Sequence, residues 1–229
     1  MTAPRGFFIT GTDTGIGKTL ITCALLHLCR RHGLGAVGMK PVAAGAIERN
    51  GNEVNEDVHA ILAASSVQAD RTQVNPYLFS EPIAPHIAAA NCGTFIDPGR
   101  ILDCYRRLAE QADVVFVEGV GGFRVPLGDD FDTADLAREI ALPVILVVGL
   151  RLGCINHALL TAEAIRTRGL VLAGWVANRI DPAMPYVAEN VAALDSRLGV
   201  PRLGYVAHLC PPTPEMAAAG LSLPRELIV

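Results

Sequence analysis

Residues 6–19 read GFFITGTDTGIGKT, and this stretch decides the fold class. The apolar residues Gly6 to Thr10 have the length of a strand, and the glycine-rich stretch Gly11 to Thr19 leads directly into an apolar helical pattern. A strand, a glycine-rich turn ending in Gly-Lys-Thr and a helix form the context that a phosphate-binding loop requires. Backbone amides converge on phosphates in such a loop, and the helix amino terminus adds partial positive charge. We therefore predict that the chain binds a nucleoside triphosphate and Mg²⁺.

The residue types inside the loop agree with this chemistry. Lys18 can reach the β and γ phosphate oxygens, and the Thr19 hydroxyl can bind Mg²⁺. The spacing departs from the general rule, because the residue five positions before Gly17 is Thr12, which leaves Gly11 one residue further out. The competing interpretation is a glycine-rich turn that has no ligand.

Apolar runs of strand length alternate along the chain with stretches of helical spacing, which predicts a mostly parallel sheet with helices on both faces. We predict strands at Gly6–Thr10, Ala36–Met39, Val114–Val117, Pro143–Val148, Val171–Ala177 and Leu203–Val206. We predict helices at Lys18–His32, Asn55–Ala64, Pro98–Ala112, Thr133–Glu139, Cys154–Arg168 and Pro185–Leu198. The stretch from Ala43 to Gly93 is rich in Pro, Asn and Gly, so we expect loops over the sheet edge there. The fold class is thus α/β, with one domain over residues 1–229.

Composition narrows the class of partner. The apolar fraction of 51% with 18% charged residues indicates a compact globular protein, and a net charge of −4 argues against nucleic-acid or anionic-membrane partners. The apolar run from Leu142 to Leu150 is too short to span a membrane, and we see no export signal, so we expect a cytoplasmic protein. The six cysteines include no Cys-x-x-Cys pair, which disfavours a zinc site.

Lysine is rare in this chain and occurs only at Lys18 and Lys40, although Lys and Arg together number 19. An ammonium group meets a phosphate oxygen differently from a planar guanidinium, so positions that keep lysine are candidates for needing it. Lys40 follows the second predicted strand, at the edge where parallel sheets bind ligands. Both ammonium groups could converge on one phosphate. The alternative for Lys40 is a solvated surface charge.

Polar residues follow two further strands. Glu118 ends the strand at Val114–Val117 and precedes a glycine-rich turn, so it occupies the position at which a carboxylate contacts Mg²⁺ in phosphate-binding folds. Asn178 ends the strand that contains Trp175 and could read a base, although asparagine there often only forms a turn. Asp57 on its own would be an ordinary surface acid.

Several motifs together resemble the dethiobiotin synthetase family over almost the whole chain. They are Gly11–Thr19 with its lengthened loop, Lys40-Pro41-Val42, Val117–Gly122, Gly153–His157 and Ala173–Asn178. The resemblance implies the conversion of 7,8-diaminopelargonate, CO₂ and ATP into dethiobiotin, ADP and phosphate. In that family one amine forms a carbamate, the carbamate oxygen attacks the γ-phosphate, and the second amine closes the urea ring.

The resemblance also implies roles for individual residues. Lys18 and Lys40 would be catalytic, and Thr19, Asp57 and Glu118 would bind Mg²⁺. The implied nucleotide contacts are Thr14, Gly15, Ile16, Gly17, Lys18, Thr19, Asp57, Glu118, Gly119, Val120, Gly121, Asn178, Arg179, Ala207, His208, Leu209 and Glu215. The implied substrate contacts are Thr12, Lys40, Ala44, Gly153, Cys154 and Asn156. The family is homodimeric, and the Gly153 segment of one chain would bind the carboxylate of the diamine held by its neighbour.

Two departures from the family pattern affect these expectations. The family usually has a hydroxyl residue where this chain has Ala44, and often a proline near Ala207. The loss of one hydroxyl donor to the carbamate should weaken binding by about 1 kcal/mol. We therefore expect reduced diamine affinity and retained activity.

Three other interpretations stay open at this point. A related amidoligase-type enzyme would share the loop and sheet, but the Gly153–His157 segment argues against it. An ATP-switched partitioning ATPase would carry an extra lysine near the start of the loop, where this chain has Thr12, Asp13 and Thr14. A duplicate that binds ATP but has lost its organic substrate is the third interpretation, and Ala44 is the residue that suggests it.

Overall fold

The computed structural model describes residues 6–49 and 51–227. Its strands are β1 (Gly6–Gly11), β2 (Ala36–Met39), β3 (Val42–Ala44), β4 (Ile47–Arg49), β5 (Asn52–Val54), β6 (Tyr77–Phe79), β7 (Val114–Glu118), β8 (Val144–Gly149), β9 (Leu172–Asn178) and β10 (Arg202–Val206). Its helices are α1 (Lys18–Arg31), α2 (Glu56–Ala64), α3 (Arg71–Val74), α4 (Pro85–Asn91), α5 (Pro98–Gln111), α6 (Thr133–Ile140), α7 (Cys154–Thr167), α8 (Val187–Leu198) and α9 (Pro214–Ala218).

Six strands form the central sheet, in the order β10-β9-β8-β1-β7-β2. Every neighbouring pair in it is parallel. This arrangement confirms the predicted α/β fold class. All six strands end at the same edge of the sheet, so the loops that follow β1, β2, β7, β9 and β10 meet there.

The sheet is buried on both faces because its strands are almost continuously apolar. Phe8, Val115 and Leu146 belong to one core cluster, whereas the alternate residues Phe7 and Ile145 belong to a second cluster. The first cluster is completed by α5, α6, α7 and α8, and the second by α1 and α9. Alternation across a pleated strand therefore divides one apolar run between two helical layers.

The predicted strands and helices are confirmed, with end residues that differ by one or two positions. Asp97 begins α5 as expected, because its carboxylate accepts a hydrogen bond from the Gly99 amide at 2.9 Å. The start of α8 is two residues later than predicted, at Val187. None of the described helices is long and apolar enough to cross a membrane. The predicted domain also includes residues 1–5, 50 and 228–229, which lie outside the described part of the chain.

The expectation of loops alone between Ala43 and Gly93 is wrong. Besides the predicted α2, this segment holds α3 and α4 and two small two-stranded sheets, one pairing β3 with β6 and the other β4 with β5. Each of these strands has three residues, too few to show a period of two in the sequence. Local signals start the short helices, since the Asp70 side chain caps α3 and Pro85 begins α4.

Candidate active site

The turn between β1 and α1 has the backbone shape of a phosphate-binding loop. Gly15 and Gly17 have φ angles of 72° and 86°, in the left-handed region that glycine tolerates. A Cβ atom on Gly17 would lie 2.3 Å from Nδ2 of Asn178. The same Asn178 nitrogen donates a hydrogen bond to the Ile16 carbonyl at 2.8 Å. Helix α1 then begins at Lys18 without a side-chain cap, which leaves its first amides available to an anion.

Lys18 lies inside this turn, where it is buried. Its Nζ atom donates to the Asp13 carbonyl at 2.8 Å and so closes the loop on itself. Burial, together with the charge of Lys40, lowers the pKa of Lys18 to about 8. Lys18 and Lys40 line the same cavity, and their convergence on one phosphate stays a prediction.

Lys40 is 4% exposed, so it is not the solvated surface charge that was the alternative. Its Nζ atom lies 2.6 Å from Glu118 Oε1 and 3.0 Å from Asp57 Oδ2. Burial alone would lower the pKa of Lys40, but the two carboxylates outweigh it and raise the pKa. Lys40 is thus held as a cation at the end of β2.

The backbone of Lys40 is held from both sides. Its amide donates to the Val74 carbonyl at 2.8 Å, and its carbonyl accepts a hydrogen bond of 2.7 Å from Asn75 Nδ2. Asn75 is itself buried and also donates to the Tyr77 carbonyl at 2.9 Å. The segment from Ala43 to Gly93, which was predicted to form loops, therefore holds the backbone of the predicted catalytic residue Lys40 in place.

Glu118 ends β7 and is fully buried, with 0% of its surface exposed. Oε1 accepts hydrogen bonds from the Thr19 hydroxyl at 2.8 Å and from Lys40, whereas Oε2 accepts one from the Thr22 hydroxyl at 2.6 Å. A buried carboxylate is tolerated because these donors and one cation satisfy it.

Asp57 lies in the first turn of α2 and is the second carboxylate, after Glu118, that contacts Lys40. Asn55 fixes the start of that helix, because its Oδ1 accepts from the Val58 amide at 3.3 Å and its Nδ2 donates to the Ala44 carbonyl at 3.2 Å. Burial would raise the pKa of Asp57, but Lys40 and its hydrogen bonds outweigh that effect and lower it. Asp57 is therefore part of the site and not an isolated surface acid.

The donor set fits Mg²⁺. Thr19, Asp57 and Glu118 present hydroxyl and carboxylate oxygens, the ligands that this hard cation prefers. No group of three or more His, Cys, Asp or Glu side chains that could hold a metal ion occurs within residues 6–49 and 51–227. A site of one hydroxyl and two carboxylates suits Mg²⁺ better than transition metals, since Mg²⁺ keeps several water and phosphate ligands.

A cavity of about 790 Å³ opens above these groups at the carboxyl edge of the sheet. Its polar side includes Lys18, Thr19, Lys40 and Asp57, together with the predicted loop residues Thr14, Gly15 and Gly17. Its apolar side is formed by Ala43, Ala44, Pro82, Ile83, Ala84, Pro85, Val120 and Val125. The cavity thus combines a phosphate-binding end with an aliphatic wall.

Several of the residues predicted to contact the nucleoside lie at or after the carboxyl ends of β9 and β10. Asn178 and Val206 are register partners at the ends of β9 and β10, and the Arg179 amide donates to the Val206 carbonyl at 2.9 Å. Ala207, His208 and Leu209 follow β10, and Glu215 lies in the first turn of α9. The nitrogen of Asn178 is engaged with Ile16, so its role in reading adenine stays a prediction.

The predicted substrate residues divide into two places. Lys40 and Ala44 line the cavity, whereas Thr12 and the segment Gly153, Cys154 and Asn156 are outside its lining in the described residues. Gly153 has a φ of 93° and precedes α7, which has no side-chain cap. Arg151 joins this region to the phosphate loop through an ion pair with Asp13.

Sequence reasoning missed three buried or bridging groups: Thr22, Asn75 and the Asp13–Arg151 pair. Helical spacing could have indicated Thr22, because it follows Lys18 by four residues and so shares its face of α1. Asn75 and Arg151 carry no comparable local signal, since both act on residues that are distant in the sequence.

Comparison with known proteins agrees with this arrangement. The sequence matches the family described as AAA domain over residues 5–215. It is 60% identical over 224 residues to the ATP-dependent dethiobiotin synthetase BioD of Aromatoleum aromaticum, covering 98% of this chain and 100% of that protein.

Solved structures with the same fold are more distant. MinD of Pyrococcus horikoshii in complex with Mg-ADP has a TM-score of 0.53 at 18% identity, over 95% of this chain and 86% of that one. A ParA family ATPase of Chlorobium tepidum has a TM-score of 0.55 at 14% identity, over 96% of this chain and 91% of that one. Chloroplast FtsY of Physcomitrella patens has a TM-score of 0.57 at 16% identity, and the match covers 100% of this chain and 65% of FtsY. These likenesses concern the fold alone. The full-length sequence match, together with the buried lysine and carboxylates at the phosphate loop, shows that this chain belongs to the ATP-dependent dethiobiotin synthetase family.

Proposed function

We propose that this protein is a dethiobiotin synthetase, an ATP- and Mg²⁺-dependent ligase of biotin biosynthesis. It converts 7,8-diaminopelargonate, CO₂ and ATP into dethiobiotin, ADP and phosphate. The observation that carries the proposal is the position of Lys40, a second buried ammonium held by Asp57 and Glu118 beside the phosphate loop. A nucleotide-binding site alone would need only Lys18.

The proposed reaction joins one carbon to two amines. One amine of the diamine adds to CO₂ and loses a proton, which forms a carbamate. A carbamate oxygen attacks the γ-phosphorus of ATP, and ADP leaves. The second amine then attacks the carbonyl carbon of the carbamic-phosphoric anhydride and loses a proton, the ring closes, and phosphate leaves with its bonding electrons.

The two lysines favour the phosphoryl transfer by electrostatics. Negative charge spreads over the equatorial oxygens of the transferred group, and preorganised cations stabilise it where water is excluded. Lys18 comes from the loop and Lys40 from the end of β2, so the two ammonium groups approach from different elements. Thr19, Asp57 and Glu118 would hold Mg²⁺, which when bound neutralises charge on the phosphate oxygens.

The apolar wall of the cavity suits the organic substrate. The diamine is an aliphatic acid, and its carbon chain would lie against Pro82 to Pro85, Val120 and Val125. Its amines would then face Lys40 at the polar end of the cavity, next to Ala44 on the apolar side. The apolar wall would bury the carbon chain, and the charged groups would bind the reacting end. Together these contacts would orient the carbamate toward the γ-phosphate.

A homodimer is part of the same proposal. The carboxylate of the diamine would be bound at the start of α7 from a second copy, through Gly153, Cys154 and Asn156. What supports this is that a helix start with uncapped amides attracts anions, and that Leu152 beside it is 96% exposed. We place the reaction in the cytoplasm, where ATP is available.

The test is a balance of products from purified protein. Protein with Mg·ATP and ¹³C-bicarbonate is assayed for ADP with and without 7,8-diaminopelargonate, and dethiobiotin is followed by mass spectrometry. We expect ADP release that requires the diamine and matches labelled dethiobiotin one for one. ADP release that does not depend on the diamine would instead indicate a nucleotide switch or a protein that has lost its substrate.

A further inference from the structure

The two oxygens of the buried Glu118 carboxylate have different partners. Oε1 accepts from the Thr19 hydroxyl at 2.8 Å and from Lys40 Nζ at 2.6 Å, and both of these donors line the cavity. Among the hydrogen bonds of the described residues, Oε2 has a single donor, the Thr22 hydroxyl at 2.6 Å. Thr22 is itself fully buried. One oxygen therefore faces the site and the other faces a side chain that the site does not contain.

The Thr22 hydroxyl has one proton and two acceptors within reach. Besides Glu118 Oε2 at 2.6 Å, it lies 3.0 Å from the Lys18 carbonyl. That carbonyl also belongs to the hydrogen-bond ladder of α1, whereas the carboxylate is charged and buried. The shorter, charge-assisted bond to Glu118 takes the proton.

We infer that Thr22 is a positioning residue that sets the orientation of the Glu118 carboxylate for Mg²⁺ binding. The terminal torsion of glutamate is broad, so a carboxylate without a fixed partner can rotate. A hydrogen bond to Oε2 limits that rotation and keeps Oε1 directed toward Thr19 and the cavity. The inference rests on the proposed function only for the identity of the ligands, ATP and Mg²⁺.

The position of Thr22 on α1 makes this support rigid. Thr22 follows Thr19 by three residues and Lys18 by four, so all three groups share one region of the helix surface. The phosphate loop continues directly into this helix. The helix that contributes Lys18 and Thr19 to the site thereby also holds the carboxylate that comes from β7.

The test compares isosteric variants at two buried threonines. Thr22→Val removes the hydroxyl, and Thr22→Ser keeps it. Thr10→Val is the matched control, because Thr10 is 1% exposed and its hydroxyl has no hydrogen-bond partner within the described residues. Mn²⁺ affinity is measured by electron paramagnetic resonance at saturating ATP, and ATP affinity is measured separately in EDTA. The diamine is omitted throughout.

We expect Thr22→Val to weaken Mn²⁺ binding by about tenfold, the loss of one hydrogen bond to a charged group, with ATP affinity in EDTA nearly unchanged. Thr22→Ser should restore Mn²⁺ binding, and Thr10→Val should leave it unaltered. If the valine variant is unstable, Thr22→Ala replaces it, because alanine also removes the hydroxyl.

Unchanged Mn²⁺ affinity in the valine and alanine variants would overturn the inference. Equal weakening in the serine variant would also overturn it, because a role in packing alone would then explain the loss. These outcomes are separate from a failure of the proposed function, since wild-type protein that binds Mn·ATP but makes no dethiobiotin leaves the comparison intact.

Discussion

At the scale of single residues, the charge environment of Lys40 explains why this position would need lysine and not arginine. Its ammonium is buried between two carboxylates, with the closer oxygen at 2.6 Å. A guanidinium is larger and planar, and it meets oxygens as a fork and not as a point charge. An arginine could satisfy the carboxylates and still fail to place charge on a phosphate oxygen.

We predict that Lys40→Arg lowers kcat by roughly a hundredfold, the scale seen when one preorganised donor is lost from a charged transition state. The dissociation constant for Mg·ATP should change far less. Initial rates of dethiobiotin formation and isothermal titration with ATP measure the two effects. Arg106→Lys, a swap at a side chain that is 66% exposed, serves as the control and should leave both unchanged. Near-normal turnover in Lys40→Arg would remove Lys40 from its proposed role.

Ala44 is the residue at which this chain departs from its family's hydroxyl. It is half-buried and lines the cavity beside Asn55. We predict that Ala44→Ser lowers the KM for the diamine by roughly fivefold, because one added hydrogen bond contributes about 1 kcal/mol, while kcat stays nearly constant. Ala44→Val adds two methyl groups and no hydroxyl, and it should not improve KM. An equal gain in both variants would show that volume, and not the hydroxyl, matters here.

At the scale of elements, the phosphate loop depends on contacts with a distant strand. Asn178 at the end of β9 donates to the Ile16 carbonyl, and the space it occupies leaves no room for a side chain at Gly17. The loop is therefore shaped both by its glycines and by the strand two places away in the sheet, since β8 lies between β1 and β9.

We predict that Gly17→Ala weakens ATP binding by more than about tenfold, because the added Cβ would displace Asn178 and strain a residue with φ of 86°. Gly33→Ala is the matched control, since Gly33 has a φ of 74° but open space around its Cβ position. Both variants should lose about 1 kcal/mol in free energy of unfolding, measured in urea, from the left-handed backbone alone. Equal ATP affinity in the two variants would mean that the contact with Asn178 is unimportant.

At the scale of the whole molecule, the exposed apolar surface near α7 is the feature that bears on assembly. Leu152 is 96% exposed and comes just before the helix start that we propose binds the diamine carboxylate of a second copy, and Leu160 within α7 is 58% exposed. Large exposed apolar side chains often mark interfaces.

We predict that Leu152→Arg raises the dimer dissociation constant by at least roughly a hundredfold, because an unpaired charge would be buried at the interface. Phe95→Arg, at another side chain with 75% exposure, should remain dimeric. Light scattering over a dilution series measures the assembly. The KM for the diamine should rise only in the Leu152 variant, while ATP affinity is kept in both. A monomeric wild-type protein would refute the dimer directly.

The sequence by itself determined the fold class, the phosphate loop and the family, because these depend on local chemistry. Strand length, glycine placement and helical period are each expressed within about ten neighbouring residues. The motif residues could be identified from the sequence as well, because Lys18 belongs to the phosphate loop and Lys40 and Glu118 lie at or just beyond the carboxyl end of a strand. Asp57 needed the family resemblance, since one acid on a helix carries no signal of its own.

Only the tertiary structure decided how these residues are supported. Thr22 and Glu118 are separated by 96 residues, Asn75 and Lys40 by 35, and Asn178 and Ile16 by 162. The contacts of Glu118 and Asn178 exist because the sheet places β7 next to β1 and β9 two places from it, an order that differs from the order of the chain. The short elements between Ala43 and Gly93 escaped detection as well, because strands of three residues are stabilised by their partners more than by their own pattern.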